Sequence, residues 1–477
     1  MSLVATAVDN QKLLAVFEKQ KKRSLLLRSE SIGERRKRLA EFEKFLLKNK
    51  NRVSEAIFKD FKKPQTESDI SEIYPVLTEI RHTSAHLRDW TKPQKIDAPL
   101  TFLGTRSEVR YEPKGVCLII APWNFPVNLC LGPLISCLAA GNTAVIKPSE
   151  LTAHTSQLIA DLVSEFFDED LVAVFQGDQE VSAQLLTLPF DHIFFTGSPG
   201  VGKMVMKAAA ENLASVTLEL GGKSPAIIDE TASLKDAARR IAFGKFLNNG
   251  QTCIAPDYIL VHEKVMAKFI DELKKVTIAM FGEQGTINES SPNYARVVNR
   301  KHFDRLNKIL QDALDKGAKM EMSGPVNKDT HFIHPVVLTD VGLDTLAMQE
   351  EIFGPILPVI PFATVDQVTY IVNAKPKPLA LYIFTNQKSF REKILEQTSA
   401  GSVGVNDCVL QFSHPNLPFG GVNNSGIGKS HGRYGFLNFS NEKPVLRQKR
   451  GFSMAYLMHP PYTQFRKKLV GLMVKWF

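Results

Sequence analysis

Residues 115–126 read Gly-Val-Cys-Leu-Ile-Ile-Ala-Pro-Trp-Asn-Phe-Pro. The run Val116–Ile120 is apolar without a break, as a strand covered on both faces must be. Pro122 and Pro126 then fix the loop that leaves it. The pattern repeats. A helical segment near 127–140 leads to an apolar run at 143–146, and a second, near 155–166, leads to 172–175. A third, near 180–187, leads to 192–195, and a fourth, near 201–210, to 216–220. Apolar strands alternating with helices predict an α/β fold with a parallel sheet covered on both faces. Open sheets of this kind bind ligands at the carboxyl ends of their strands.

On the N-terminal side, residues 10–92 read as helices. Apolar residues recur at spacings of three and four, as in Leu39, Phe42, Leu46 and Val53, with Gly33 and Pro64 as punctuation. Residues 99–112 set Phe102, Val109 and Tyr111 among polar residues and read as a hairpin or extended excursion. On the C-terminal side a second α/β series runs from 224 to about 432. Its strand candidates lie at 258–261, 336–338, 356–360, 381–384 and 404–406. A further extended piece at 444–447 precedes a basic, apolar tail. In that tail Phe465, Leu469, Leu472, Met473 and Trp476 fall on one helical face, with Arg466, Lys467, Lys468 and Lys475 beside it. Three readings stay open: packing on its own subunit or a partner, a gate over a substrate funnel, or peripheral contact with a membrane surface.

The 477 residues suffice for two or three domains, and 44% hydrophobic with 23% charged residues is the balance of a soluble globular protein. The net charge of +9 allows an anionic partner. The basic residues of 19–23 and 35–38 are interleaved with apolar ones at helical spacing, so solvated helix faces explain them better and no nucleic-acid partner is expected. Cys117, Cys130, Cys137, Cys253 and Cys408 form no CxxC pair, so no metal site is expected, and free thiols suit a reducing compartment. Residues 1–11 lack a continuous apolar core, so no signal peptide is expected, and no run is long enough for a membrane span.

Three places carry chemistry. In Gly250-Gln251-Thr252-Cys253 the cysteine follows an amphipathic helix at 237–246, and taken alone it reads as a buried thiol. Glu219 ends an otherwise apolar strand inside Leu218-Glu219-Leu220-Gly221-Gly222-Lys223. A carboxylate there is costly unless it has a task or pairs with Lys223. Asn124 offers an amide donor on the rigid loop 122–126, which is either an ordinary strand-to-helix turn or a mount for an oxyanion donor.

Together these stretches resemble the aldehyde dehydrogenase superfamily. The resemblance spans about 30–440 and rests on motifs in the family's order. They are 122–126, Lys147-Pro148-Ser149-Glu150, Phe195-Thr196-Gly197-Ser198 with Gly202, 218–223, 250–253, Glu350-Glu351-Ile352-Phe353-Gly354-Pro355 and Pro418-Phe419-Gly420-Gly421. The compact length and the wording Cys253-Ile254-Ala255-Pro256-Asp257 are most similar to the class 3 and fatty-aldehyde branch.

The resemblance implies an α/β architecture with a Rossmann-type cofactor domain (1–99 and 114–219) and an α/β catalytic domain (220–432). It also implies a small bridging β element for oligomerisation (100–113 and 433–450) and a tail (451–477). It makes Cys253 the nucleophile that carries a thiohemiacetal and then a thioester. Asn124 and the Cys253 N–H become the oxyanion donors. Glu219 becomes the general base for hydrolysis. Lys147 and Glu150 would grip the adenosine ribose and Gly197, Ser198 and Gly202 the pyrophosphate. Trp123 would bind the cofactor, Glu351 would hold the nicotinamide ribose and Phe353 would pack near its ring. The implied cofactor is NAD, with NADP as a second. The implied substrate is an apolar aliphatic or aromatic aldehyde, the assembly a homodimer, and the compartment the cytoplasm, peripheral to a membrane where the tail makes that contact. A relative that passes the acyl group to coenzyme A is the rival enzyme, which a positioned base at Glu219 disfavours. A catalytically silent binding relative is the rival outside enzymes. His414 reads as a structural or rim residue, and 426–428 as loop-shaping.

Overall fold

The computed structural model describes residues 10–451 and 453–476. Its first sheet has six strands in the order Val172–Val174, Thr143–Lys147, Val116–Ile120, His192–Gly197, Ser215–Leu220 and Gly426–Ile427. The first five are parallel. The chain therefore starts in the middle, steps to one edge, then crosses to the other side, the doubly wound order 3-2-1-4-5. The direction reverses between Val116–Ile120 and His192–Gly197, which opens a crevice at the carboxyl ends of those strands. Every residue of Val116–Ile120 and Thr143–Lys147 is buried, as their unbroken apolar runs require. The sixth strand arrives from far along the chain and runs antiparallel, setting Gly426 opposite Glu219.

Helices cover both faces. Asn128–Ala140 is apolar all round because it lies between the sheet and Tyr74–Trp90. The long helix Ile32–Phe61 opens with a capping box in which Ser31 and Glu34 satisfy each other's backbone N–H groups. Gly33 thus falls inside the first turn, and the break between helices sits ahead of it. Pro64 does separate two helices, and beyond it Gln65–Ser68 runs into a π-helical turn, Asp69–Ile73.

The second sheet has seven strands in the order Lys319–Met322, Val336–Thr339, Ile356–Phe362, Tyr258–His262, Pro225–Ile228, Ala380–Phe384 and Ser402–Val405. All neighbours are parallel except the first pair. The last strand stops before Asn406, which is left-handed and turns its amide to the Thr385 backbone. Lys319–Met322 escapes sequence reading because an edge strand of mixed polarity carries no apolar run.

A third, antiparallel sheet joins Gln94–Ile96, Thr105–Pro113 and Ser440–Gln448, the last two in continuous register from Ser440 opposite Pro113 to Gln448 opposite Thr105. The excursion predicted at 99–112 and the extended piece at 444–447 are therefore partners. The tail forms the helix Gln464–Trp476. It packs on the turn Met454–Met458, but only part of its apolar face is covered. Leu469 and Met473 are half-buried, whereas Phe465, Leu472 and Trp476 are exposed. Among the described residues no helix is long and apolar enough to cross a membrane.

Candidate functional site

The loop that carries Cys253 is forced into its shape. After the helix Leu234–Phe246 three successive residues, Asn248, Asn249 and Gly250, take left-handed backbone angles. Asparagine tolerates that region and glycine favours it. At Gly250 a Cβ would lie 2.3 Å from the Gly354 carbonyl, so only glycine allows this loop to approach the 350–355 segment. Gln251 then anchors the turn from a fully buried site. Its Nε2 donates to Asn248 O and Arg296 O, both at 2.9 Å, and its Oε1 accepts from Val298 N at 2.9 Å. The outcome is a half-buried Cys253 held at a fixed angle.

Asn124 is brought to the same place. Its Nδ2 donates to Gln251 O at 3.0 Å, which ties the 122–126 loop to the cysteine loop. An amide nitrogen carries two hydrogens, so one donor remains for a ligand. Below these loops lies a buried charge network. Lys63 and Glu72, both fully buried, pair at 2.9 Å. Glu72 Oε2 accepts from Val127 N and Asn128 N at the helix start. Glu67 accepts from Asn248 N at 2.8 Å.

Cys253 faces two carboxylates. Burial pushes its thiol well up, the negative charge of Glu351 and then of Glu219 pushes it further, and the Cys253 and Ile254 N–H groups oppose them. Glu219 is buried at the end of Ser215–Leu220. Burial pushes its pKa up to about 7, against a hydrogen bond from Ser430 Oγ and the nearby Lys429 ammonium. It does not pair with Lys223, the alternative that its place in 218–223 suggests. Lys223 instead bonds Asp257 and the carbonyls of Ala347 and Glu350. Glu351 is pushed up to about 8, by burial first and by Asp257 second. Its carboxylate lies so close to Gly221 that a Cβ there would come within 2.2 Å of Glu351 Oε2. Arg305 holds the carbonyls of Glu351 and Ile352.

The remaining sequence candidates line the carboxyl ends of the same sheet. Lys147, buried at the end of its strand, donates to Glu150 at 2.7 Å. Gly197 ends the strand His192–Gly197, and Ser198 caps the helix Pro199–Glu211, accepting from Val201 N. Gly202 lets that helix close on Leu220. Trp123 and Phe353 meet edge-on at 5.3 Å. Loop 122–126, Lys147 with Glu150, Gly197 with Ser198, and Glu219 thus follow successive strand ends. This is a cation and a carboxylate at one strand end, a helix N-terminus at another and a carboxylate beside the thiol, a donor set that fits a dinucleotide.

Cys253 also opens onto a cavity of ≈ 360 Å³, walled by Ile70, Tyr74, Phe125, Leu129, Phe243, Leu247, Val409, Leu410 and Phe412. The walls are almost wholly apolar. A thiol between carboxylates, an amide donor and an apolar entrance suit nucleophilic attack on a carbonyl carbon borne by an apolar body. His414 lies exposed on the rim segment, its Nδ1 taken by Asn416 N. Sequence reading missed Asp257, Arg305, Ser430 and the Lys63–Glu67–Glu72 network. Only Asp257 left a trace, an acid directly after Pro256 in the cysteine motif.

The chain resembles known proteins over nearly its whole length. The profile described as "Aldehyde dehydrogenase family" matches residues 4–445. The chain is 44% identical over 433 residues to "Putative aldehyde dehydrogenase AldX" of Bacillus subtilis, covering 91% of this chain and 97% of that protein. It is 41% identical over 449 residues to "4,4'-diaponeurosporen-aldehyde dehydrogenase" of Staphylococcus aureus (94% and 95%). It is 38% identical over 481 residues to "Aldehyde dehydrogenase family 3 member A2" of Macaca fascicularis (98% and 96%). Among solved structures, the substrate-bound state of Staphylococcus aureus AldH superposes with a TM-score of 0.92 at 39% identity, over 97% of this chain and 99% of that one. An NAD+ complex of an aldehyde dehydrogenase from Bacillus cereus (0.84, 27%, 92% and 89%) and an NADP complex of a glyceraldehyde-3-phosphate dehydrogenase from Methanocaldococcus jannaschii (0.83, 25%, 93% and 96%) share the fold.

Proposed function

Since this chain belongs to the aldehyde dehydrogenase family and is an oxidoreductase, we propose that it oxidises apolar aldehydes to carboxylic acids through a thioester on Cys253. The observation that carries the reading is Cys253 in the wall of an apolar cavity, with Asn124 tied to its loop and the charges of Glu351 and Glu219 acting on its thiol.

In this reading the Cys253 thiol gives its proton to water as its sulfur adds to the carbonyl carbon. The free hydrogen of Asn124 Nδ2 and the Cys253 N–H then meet the oxyanion, each such donor contributing roughly 3–4 kcal/mol. When bound, the nicotinamide supplies the acceptor for the hydride that leaves that carbon. Glu219 then takes a proton from water, which attacks the thioester and frees the acid. A pKa of about 7 suits a base working near neutral pH. We assign the cofactor to the unit of 1–99 and 114–219, through Trp123, Lys147, Glu150, Gly197, Ser198, Gly202, Glu351 and Phe353, and the acyl chemistry to 220–432. NAD is the expected cofactor, because Glu150 disfavours a 2′-phosphate. Its pairing with Lys147 leaves room for NADP as a second.

The bridging element of 100–113 and 433–450 exposes Leu100, Phe102, Leu103 and Leu446, which supports a homodimer formed through it. Five free thiols suit the cytoplasm. The partly uncovered tail helix supports contact with a partner subunit, a substrate entrance or a membrane surface.

The test is absorbance at 340 nm with NAD or NADP and aldehydes of increasing chain length, with and without coenzyme A. Turnover without coenzyme A that improves with chain length is expected. Strict dependence on coenzyme A, or an NADP preference above tenfold, overturns the corresponding assignment.

A further inference from the structure

A base that accepts a proton in every turnover must also lose it. Glu219 is buried and lines a second, smaller cavity, which shares Asn128 and Leu129 with the substrate cavity. This cavity has a volume of ≈ 30 Å³ and is lined by Glu219, Glu79, Ser136, Thr196 and Ser430. That is room for one water, and these polar side chains stand in a lining otherwise made largely of apolar groups such as Leu129, Pro133, Phe194 and Phe439. Thr196 Oγ1 is buried there without a hydrogen-bond partner. Glu79 stands on the helix Tyr74–Trp90, far from Glu219 in sequence. Among the described residues no cation pairs with it. It accepts from Gly432 N at 2.9 Å and from Thr83 Oγ1 at 3.4 Å. Burial pushes its pKa up to about 7, as it does for Glu219, which suits exchange of a proton between the two. The titratable groups around them are Lys429 near Glu219, and His431, which lines the cavity and is pushed down to about 4 by burial, hence neutral and no carrier. Glu79 also lines another cavity, of ≈ 40 Å³, with Tyr74, Pro75 and Ser413, residues that line the substrate cavity too.

We propose that Glu79 is the second carboxylate of a proton relay that discharges Glu219 through a water held between them. The proposal rests on Glu219 as the base of hydrolysis. In that step the water oxygen bonds to the acyl carbon and its proton goes to a Glu219 oxygen. The carbon–sulfur bond breaks with its electron pair left on Cys253. Glu219 then gives its proton to the cavity water as that water gives one to Glu79, and Glu79 releases it toward Tyr74 and solvent.

The experiment uses the full chain with NAD and hexanal. Rapid quench measures the NADH burst and the rate constant of acid release in wild type, Glu79→Gln, Glu79→Ala and Glu219→Gln. Glu79→Gln keeps the acceptor for Gly432 N–H. It should leave NAD affinity and burst amplitude unchanged and slow acid release between about tenfold and a hundredfold, less than the 10²–10⁴ usual for loss of the base itself. In Glu79→Ala, added formate should restore acid release and chloride should not, because only formate can accept a proton and pass it on. Acid release within twofold of wild type in Glu79→Gln overturns the relay, as does loss in Glu79→Ala that formate leaves unchanged. Wild-type acid release in Glu219→Gln overturns the base assignment itself, a different result from a failed relay.

Discussion

Replacing Glu219 by glutamine removes a base without emptying its place, because the amide oxygen still accepts from Ser430 Oγ. Two magnitudes follow. The first is the loss of general-base catalysis, typically 10²–10⁴ in rate, or about 2.7–5.5 kcal/mol of barrier. The second comes from the pKa of about 7. The carboxylate is the active form, so wild-type acid release should rise with pH as Glu219 loses its proton. With that pKa, about 9% is ionised at pH 6 and about 91% at pH 8, a tenfold rise across the two. Rapid-quench measurement of acid release at both pH values tests this in wild type and variant. The variant should show an NADH burst, slow release and no rise between pH 6 and 8. Wild-type turnover in the variant, or a flat wild-type profile, refutes Glu219 as the base.

Cys253→Ala should abolish dehydrogenase turnover and leave NAD affinity nearly intact; residual activity above a few percent would assign the nucleophile elsewhere. Lys63→Met should cost about 3–5 kcal/mol in urea denaturation, because it leaves Glu72 buried without its partner, and the double variant Lys63→Met/Glu72→Gln should recover part of it. A cost below 1 kcal/mol would show that the pair does not brace the loops. Removing the residues after Gln464 should leave short aldehydes unaffected; a changed KM for long aldehydes marks a gate and lost liposome binding at low salt marks membrane contact. If neither changes, the helix only packs.

How much of this was legible in the sequence depends on the background against which each residue stands. In a strand buried on both faces every position is apolar, so a single acid such as Glu219 is conspicuous. Glycines and prolines at loops 122–126 and 250–253 are equally visible, because few residues permit those backbones. Amphipathic helices hide what sheets reveal. Glu67, Glu72 and Glu79 look like the solvated face that helices normally carry and Lys63 like a loop cation, yet Lys63, Glu67 and Glu72 are buried and Glu79 is half-buried. Periodicity gives the helix but not which of its charges point inward, since that depends on what packs over it. Lys223 shows the same limit. Its neighbour in sequence is Glu219, but its partner in space is Asp257.

Burial sets both reactive groups of this site, with opposite consequences. It raises the Cys253 thiol, and the two carboxylates raise it further, so at rest the sulfur holds its proton and is a poor nucleophile. The same burial raises Glu219 to about 7, where a carboxylate becomes a useful base. Burial alone would overshoot, leaving Glu219 protonated at neutral pH and idle. Ser430 and Lys429 oppose it by favouring the charged form. Both lie just beyond Gly426–Ile427, the strand that pairs antiparallel with Glu219's own. On the proposed role of Glu219 as base, the added edge strand from so far along the chain has a task. It brings a hydroxyl and an ammonium to the one carboxylate in the sheet whose protonation must be poised between two states.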